Sequence, residues 1–493
     1  MNPHEGPGPL IELSPSTLAR LDRRVSVPGY DRAALRGGIV HIGVGGFHRA
    51  HQAVYLDDLC AQGATDWSIT GAGVLPSDTC MADALGRQGG LYTLVARDVH
   101  GTSVRVIGSL VDYVLATPTH DVLVKRLLRP ETRIVSLTIT EGGYPVNTVT
   151  GAWVPAANGR IPAAFEAIGT ALRSRRDRGQ PGFTVLSCDN VMHNGAVARA
   201  VMLGVAAAME PGLEAWVDRN VAFPNSMVDR ITPATSDADR TFLRDQYGLI
   251  DRWPVVSETF SQWVIEDVFP YGRPSFDDAG ALFTSDVAPY ETLKLRLLNA
   301  GHSTLAYLAA LWGIEFVHQV MQEPLFARFL QRFHDDEAGP SLPPVAGVDV
   351  EAYKANVRER FANPEVRDQV ARICLDGSSK FPKFLIPTIE SQLDRGGRIA
   401  LAALALAGWC QYLIAVDDQG DTIGLAPDPL LATARDHARA SVAAPAAFLG
   451  LGEVFGERLP VDPVFVPAFV DALVSLRTGG TRATLERWLP GAA

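Results

Sequence analysis

Across residues 39–187, short runs of β-branched and aliphatic residues alternate with stretches whose apolar positions recur every three or four residues. The two periods predict different elements. The runs 39–42, 67–74, 133–140 and 183–187 predict strands, each closing on a turn or on polar residues. Strands that alternate with helices predict an α/β fold: a mostly parallel sheet flanked by helices, with ligands held at the carboxyl ends of the strands. After about Pro289 the pattern changes, because 291–318, 366–375, 399–416 and 464–476 are long and periodic. They predict a second, mainly α-helical domain, so that the chain divides into 1–289 and 290–493, with the proline-rich stretch 339–348 connecting two helices.

Segment 399–416 is the most apolar of these, but it is mostly Ala and Leu and contains Gln411. A buried core helix is the expectation, not a membrane span. At 493 residues, 47% hydrophobic and 20% charged, the chain is an ordinary globular one too long for a single core. Its 55 acidic and 44 basic residues give a net charge of -11, which argues against nucleic acid or an anionic membrane as partner and leaves a small molecule. Five cysteines, far apart and without a CxxC, predict neither a disulfide framework nor a thiolate zinc site, and suit the cytoplasm. Residues 1–10, rich in Gly and Pro, read as a frayed leader and not as a signal peptide.

The first candidate chemistry lies where strand 39–42 runs into Gly43-Val44-Gly45-Gly46-Phe47-His48. Glycines at such a junction let the backbone turn sharply and approach a pyrophosphate at a helix N-terminus. The third glycine of GxGxxG is replaced by His48, so a dinucleotide site and a purely structural turn both remain open. Asp78, just beyond the second strand, reads either as an acceptor for an adenosine ribose diol, favouring NAD over NADP, or as a helix N-cap. No Lys or Arg occurs in 74–86 to meet a 2'-phosphate.

The second lies in residues 291–302, where at about 100° per residue Glu291, Lys294 and His302 fall within an arc of about 80°, with Asn299 at its edge. Oxidation of a secondary alcohol needs a base for the hydroxyl proton and a donor to the developing alkoxide. Neither HExxH nor another zinc-ligand spacing occurs, so a side-chain base is preferred, and no metal is expected. Desolvation and a nearby nicotinamide cation would lower the ordinary lysine pKa and fit Lys294 for that role. Asn299, and Asn190 at the end of the last strand, are neutral donors to an alkoxide. Charged residues at this spacing also read as a solvated helix face.

Several segments together carry a resemblance: 43–52, Ser136-Leu137-Thr138-Ile139-Thr140-Glu141-Gly142-Gly143-Tyr144, Ser187-Cys188-Asp189-Asn190, Phe223-Pro224-Asn225-Ser226-Met227-Val228-Asp229-Arg230 and 294–302. The chain, from about residue 36 to 477, resembles the polyol-specific long-chain dehydrogenase/reductase family. Asp376-Gly377-Ser378-Ser379-Lys380-Phe381-Pro382-Lys383-Phe384 is most similar to its mannitol-oxidising members. The resemblance implies a Rossmann-type N-terminal domain, a helical C-terminal domain, a substrate cleft between them, and a metal-free monomer. It implies Lys294 as base, Asn190 and Asn299 as oxyanion donors and Glu291 as proton relay. Asp229, His302, Arg372 and Lys380 would grip substrate hydroxyls, and Gly43, Gly45, Gly46, Phe47, Asp78 and Thr140 would hold NAD. The expected reaction is D-mannitol and NAD+ to D-fructose and NADH. Ser77, where related chains often have a second acidic residue, is expected to relax the preference for NAD.

Tyr290 and Lys294 also satisfy YxxxK, the tyrosine-base motif of short-chain dehydrogenases. That reading is rejected because the glycine pattern differs and Tyr290 stands at the border of the helical half. A hexuronate reductase, with Arg372 and Lys380 receiving a carboxylate, is the nearest rival. Arabinitol and sorbitol are further substrates to weigh, and a nucleotide- or sugar-binding protein without turnover is the reading from another class.

Overall fold

The computed structural model describes residues 9–99, 101–147, 153–155 and 160–489, so the expectation of a frayed leader falls almost wholly outside the described residues. Two compact units follow one another, Met1–Val287 and Ala288–Ala493.

In the first unit five strands form one parallel sheet: β1 (Ile39–Ile42), β2 (Ile69–Gly73), β3 (Leu110–Leu115), β4 (Ile134–Leu137) and β5 (Thr184–Ser187). The order is β3-β2-β1-β4-β5, so the chain reverses direction across the sheet between β1 and β4. This is the Rossmann-type arrangement, whose ligands bind at that reversal. β1, β2, β4 and β5 are buried throughout, as parallel strands covered on both faces must be. Each predicted strand is found: 39–42 at its full length, 183–187 as Thr184–Ser187, 67–74 narrowed to Ile69–Gly73 and 133–140 to Ile134–Leu137.

Neither β3 nor three smaller sheets were anticipated, one of these being the two-stranded pair of Ile11–Glu12 with Leu249–Ile250. A four-stranded one joins Val255–Glu258, Tyr92–Asp98, Gly101–Ile107 and Val25–Ser26, and a three-stranded one joins Ser226–Asp229, Gln262–Glu266 and Leu282–Thr284.

The second unit is helical around a core that includes Leu297, Leu308, Phe329, Phe333, Leu404, Trp409 and Phe469. Three expected helices are corrected in extent. Residues 291–318 form no single helix, because Gly313 adopts a left-handed conformation (φ 83) and ends the run at Trp312. The 366–375 helix shrinks to Val370–Ile373, since Arg367 has φ 52. The last helix, Phe465–Trp488, outruns its expectation and is broken at Gly480. Segment 399–416 becomes the buried helix Ala400–Tyr412, and no helix among the described residues is long and apolar enough to cross a membrane.

A pair of buried imidazoles underlies β1. His41 bonds Ser136 Oγ at 2.8 Å and Thr138 Oγ1 at 2.9 Å, and its ring stacks on His48 at 3.5 Å. The stacked pair occupies the place where a third glycine would bring helix and strand together. Burial pushes His41 down to about 3, and burial followed by the neighbouring His41 and Arg49 pushes His48 well below its usual value.

Both rings are therefore neutral when folded, whereas the unfolded chain protonates them near pH 6.5. Below that pH the unfolded state binds more protons, so stability is lost as pH falls from about 6.5 towards 3. His48→Phe keeps a stacking ring without a titrating nitrogen and is expected to flatten this acid slope. Melting temperatures measured between about pH 7 and pH 4 check it; an unchanged slope would show that the pair is not a source of acid sensitivity.

Candidate active site

The turn after β1 is built so that only glycine fits at its start. Gly43 has φ +94, and a Cβ there would stand 2.2 Å from the Thr138 carbonyl oxygen. Thr138 Oγ1 donates to the Gly43 carbonyl at 2.6 Å, locking the turn to the end of β4. Gly45 and Gly46 lead into the short helix Gly46–Ala50, and a Cβ on Gly45 would meet nothing nearer than 3.9 Å. Arg49, fully buried, donates through Nε to the Gly45 carbonyl at 3.2 Å and lies over the Tyr92 ring. The half-buried Phe47 stacks on His51 with ring centroids 4.9 Å apart. A turn braced by protein on one side and open at Gly45 on the other has the form of a pyrophosphate cradle.

Beyond the end of β2, Asp78 occupies the N-cap position of the helix Thr79–Arg87, but its side chain makes no cap bond to that helix. Its Oδ2 turns back to accept from Val74 N at 2.8 Å and Leu75 N at 2.9 Å. Gly73 permits this, since a Cβ there would lie 2.5 Å from Asp78 Cβ. Beside the ends of β2 and β3 a cavity of about 470 Å³ opens among Val74, Ala116, Thr117, Pro118, His120 and Glu166. The glycine turn and the Asp78 carboxylate at the strand ends are residues that suit a dinucleotide.

Beyond β4 and β5 one carboxylate organises two loops. Asp189 accepts from Ile139 N at 3.1 Å, Thr140 N at 2.8 Å and Tyr144 OH at 2.6 Å. Burial raises its pKa, although these three donors pull the other way. Thr140 is held at φ 64, a conformation costly for a β-branched residue. Asn194 Nδ2 donates to the Asp189 carbonyl at 3.0 Å and the Ser226 carbonyl at 2.7 Å, while its Oδ1 accepts from Ser226 N at 2.9 Å. The exposed Asn190 is thereby tied to the strand Ser226–Asp229, which ends at the buried Asp229. Sequence reading passed over Asp189, Asn194 and Arg49. Asp189 and Arg49 stand inside quoted motifs, and the available signal was that buried polar residues beside such motifs have partners to hold.

In the second unit Glu291 and Lys294 are buried, 6% and 7% exposed, on the helix Ala288–Lys294. That helix continues to Trp312, but residues Leu295–Asn299 form a π turn in which Ala300 N–H donates to the Leu295 carbonyl, five residues back, and is shared with the Leu297 carbonyl. The uniform rotation assumed from sequence is therefore corrected. A π turn holds one residue more than an α turn, which takes about 100° out of the rotation between residues before and after it. Glu291, Lys294, Asn299 and His302 then share one arc of about 80°, with Asn299 inside it and no longer at its edge.

His302 stacks on Phe361 at 3.8 Å. Burial, acting with Arg372, Arg360 and Lys380 and opposed by Asp368, pushes it down to about 3. Arg372 and Lys380 both act on His302, but Arg372 is ion-paired: its Nε and Nη2 donate to Asp368 Oδ1 and Oδ2 at 2.6 Å each. Burial works against the Asp368 carboxylate, yet the Arg372 guanidinium holds it below the usual range. Lys380 Nζ donates to the Ile373 carbonyl at 3.1 Å. Tyr290, the rival base, is buried with its hydroxyl donating to the Ala346 carbonyl at 2.8 Å. Among the described residues no three His, Cys, Asp or Glu side chains gather as metal ligands.

Comparison with known proteins gives the family. The family model for the mannitol dehydrogenase Rossmann domain matches residues 37–278, and that for the mannitol dehydrogenase C-terminal domain matches 286–477. Mannitol 2-dehydrogenase of Cereibacter sphaeroides is 44% identical over 95% of this chain and 100% of its own. Mannitol 2-dehydrogenase of Aspergillus terreus is 40% identical over 97% and 99%. The Pseudomonas fluorescens mannitol 2-dehydrogenase structure, a ternary complex with NAD and D-mannitol, superposes with a TM-score of 0.89 at 43% identity, covering 97% of this chain and 99% of that one. A substrate-free D-sorbitol dehydrogenase gives 0.88 at 35%, covering 96% and 100%.

Gly43→Ala forces the Thr138 carbonyl away and a left-handed conformation on alanine, so it is expected to weaken NADH binding at least about tenfold, a loss of about 1.4 kcal/mol. Titration of NADH fluorescence measures it, and wild-type affinity in the folded variant would remove this turn from the nucleotide site.

Proposed function

The chain belongs to the mannitol dehydrogenase family, and from that premise we propose that it oxidises D-mannitol to D-fructose with NAD+, using Lys294 as base and no metal. The observation that carries this reading is the face of helix 288–312, where the π turn sets Asn299 on the same side as the buried Glu291 and Lys294. In the proposed division of labour, residues 1–289 bind the nucleotide and 290–493 supply the base.

NAD, when bound, supplies the hydride acceptor. Gly43, Gly45, Gly46 and Phe47 would hold its pyrophosphate end, Asp78 its ribose diol, and Thr140 the part beyond β4. Lys294 Nζ takes the hydroxyl proton, because an amine kept from water gives up its charge more readily than one in solution. Asn190 and Asn299 amide N–H groups donate to the oxygen as it becomes an alkoxide, which stabilises charge without any titration of their own. Glu291, one helical turn before Lys294, passes the proton onward. Asp229, His302, Arg372 and Lys380 select the substrate through its remaining hydroxyls.

The Arg372–Asp368 pair favours a neutral polyol over a hexuronate. Both guanidinium nitrogens that would meet a carboxylate side-on already bond one, so the pair is close to uncharged as a receptor. His302, neutral at working pH, adds no compensating cation. Sorbitol and arabinitol differ from mannitol only in which hydroxyls find partners. The chain is expected to act as a monomer without nucleic-acid partners, and its five free cysteines suit a reducing compartment such as the cytoplasm.

Lys294→Ala should remove most polyol-dependent NADH formation, by roughly a thousandfold or more, the upper range for loss of a general base. Tyr290→Phe should keep most of it, since that hydroxyl is committed to a backbone carbonyl. Steady-state rates with mannitol, sorbitol, arabinitol and mannonate test both points. The reverse ranking of the two variants would reassign the base, and turnover of mannonate above mannitol would reassign the substrate.

A further inference from the structure

The π turn at Leu295–Asn299 needs support, because a helix left to itself returns to α spacing. Sequence-local bonds do part of this: Ser303 Oγ donates to the Asn299 carbonyl at 3.1 Å and Thr304 Oγ1 to the Gly301 carbonyl at 2.8 Å. Both lie at its downstream end. Inside the turn, the Leu297 carbonyl receives a bond from outside the helix, from His334 Nε2 at 2.9 Å. A carbonyl only accepts, so His334 carries its proton on Nε2, and its Nδ1 has no partner. Burial pushes His334 down to about 4, with the Leu297 bond acting in the opposite sense, so the ring is neutral at working pH.

The donor is itself precisely placed by its neighbours. His334 lies in a second π turn, Phe333–Ala338, and is fully buried. Its ring passes close to Gly301, where a Cβ would stand 3.1 Å from Nε2; any larger residue at 301 would crowd the bond. Three residues on, the Glu337 carboxylate accepts from Leu401 N and Ala402 N at 2.8 Å each, at the start of the core helix Ala400–Tyr412, and Gln392 Nε2 donates to the Glu337 carbonyl. Arg296, within the first π turn, donates to the Ser341 carbonyl just past the second. The two irregular turns thus brace each other, and one of them is anchored to the central helix.

We propose that His334 is a positioning residue: by bonding the Leu297 carbonyl it keeps residues 295–299 in the π turn that aligns Asn299 with Lys294 and Glu291. It touches neither substrate nor nucleotide, and it acts only through the helix. The proposal deepens the function given above and rests on that reading for its kinetic consequence, but its structural half does not.

The test uses the full-length enzyme with His334→Phe, which keeps a ring without the donor, and His334→Gln, which restores an N–H at similar reach. With mannitol and NAD+, the Phe variant is expected to lose roughly ten- to a hundredfold in kcat, the order set by displacing a catalytic group by about 1 Å. KM and the NADH dissociation constant should stay within about twofold, and Gln should recover most of kcat. In a crystal structure of the Phe variant, Ala300 N–H should shift from the Leu295 carbonyl to that of Arg296, restoring α spacing. A π turn that persists in that structure overturns the proposal whatever the rate, as does a wild-type kcat after the turn is lost, or a Gln variant no better than Phe. If the Phe variant does not fold, Gly301→Ala crowds the same bond and should lower kcat several-fold, and a wild-type kcat in that folded variant overturns the proposal equally. If the wild-type enzyme oxidises no polyol, the functional reading fails, while the crystallographic comparison still decides the role of His334.

Discussion

The chemistry of the second unit depends on a backbone hydrogen bond that spans five residues where a regular helix would span four, from Ala300 N–H to the Leu295 carbonyl. With α spacing, Asn299 would sit about 140° around the helix from Lys294, too far to act on the same atom. With one residue absorbed into a wider turn, the carboxylate, amine, amide and imidazole of this helix line up. The cost is a turn with poorer packing along its own axis, offset by bonds from elements distant in sequence, His334 and Ser341 above all. The core around Leu297, Phe329 and Phe333 therefore does more than exclude water: it fixes the rotation of one helical segment against another.

The first unit solves a related problem with side chains instead of backbone. Loops at the ends of parallel strands have no ladder to hold them, and here buried polar residues take over. Asp189 gathers Ile139, Thr140 and Tyr144, Asn194 joins the β5 loop to the strand Ser226–Asp229, and Arg49 supports the glycine turn from below. A carboxylate that accepts three donors is satisfied despite its burial, so it holds the loops without drawing in water. Strain at Thr140 is the visible counterpart: its φ of 64 persists because the surrounding bonds over-determine it.

Much of this was legible in the sequence because it follows from local rules. β-branched runs gave four of the five strands of the main sheet, all but Leu110–Leu115, and the glycine turn announced itself by position, immediately after the first of them. The residues of helix 288–312 stood out by period, but the π turn did not, since nothing in Leu295-Arg296-Leu297-Leu298-Asn299 distinguishes five-residue from four-residue spacing. The turn is imposed by partners about forty to fifty positions away. By type and position Arg372 suggests a cation for the substrate. Asp368 stands four residues earlier, just ahead of the helix Val370–Ile373, and Arg372 bonds both of its carboxylate oxygens through Nε and Nη2. Several pairings of the smaller sheets join distant stretches of sequence, Val255–Glu258 with Tyr92–Asp98 for instance, a relation that no local pattern encodes, whereas the antiparallel pair Tyr92–Asp98 and Gly101–Ile107 is local and was passed over.

The geometry of Asp78 bears on the loss of a second acidic residue at Ser77. An acidic pair repels a 2'-phosphate by charge alone, and with one carboxylate gone the expectation from sequence was a weaker preference for NAD. That expectation treats the remaining carboxylate as free to swing aside. Its Oδ2 is instead bonded to two consecutive backbone N–H groups, and the absence of a side chain at Gly73 lets it sit hard against the end of β2. A carboxylate so held cannot retreat from an incoming phosphate without breaking both bonds. The nearest arginine along the chain, Arg87, is engaged by Asp83 and exposed to solvent. On the proposed reading, the two bonds that fix this carboxylate offset part of the loss of the second one, while Arg160, which lines the cavity beside Val74, is the cation that a 2'-phosphate would meet.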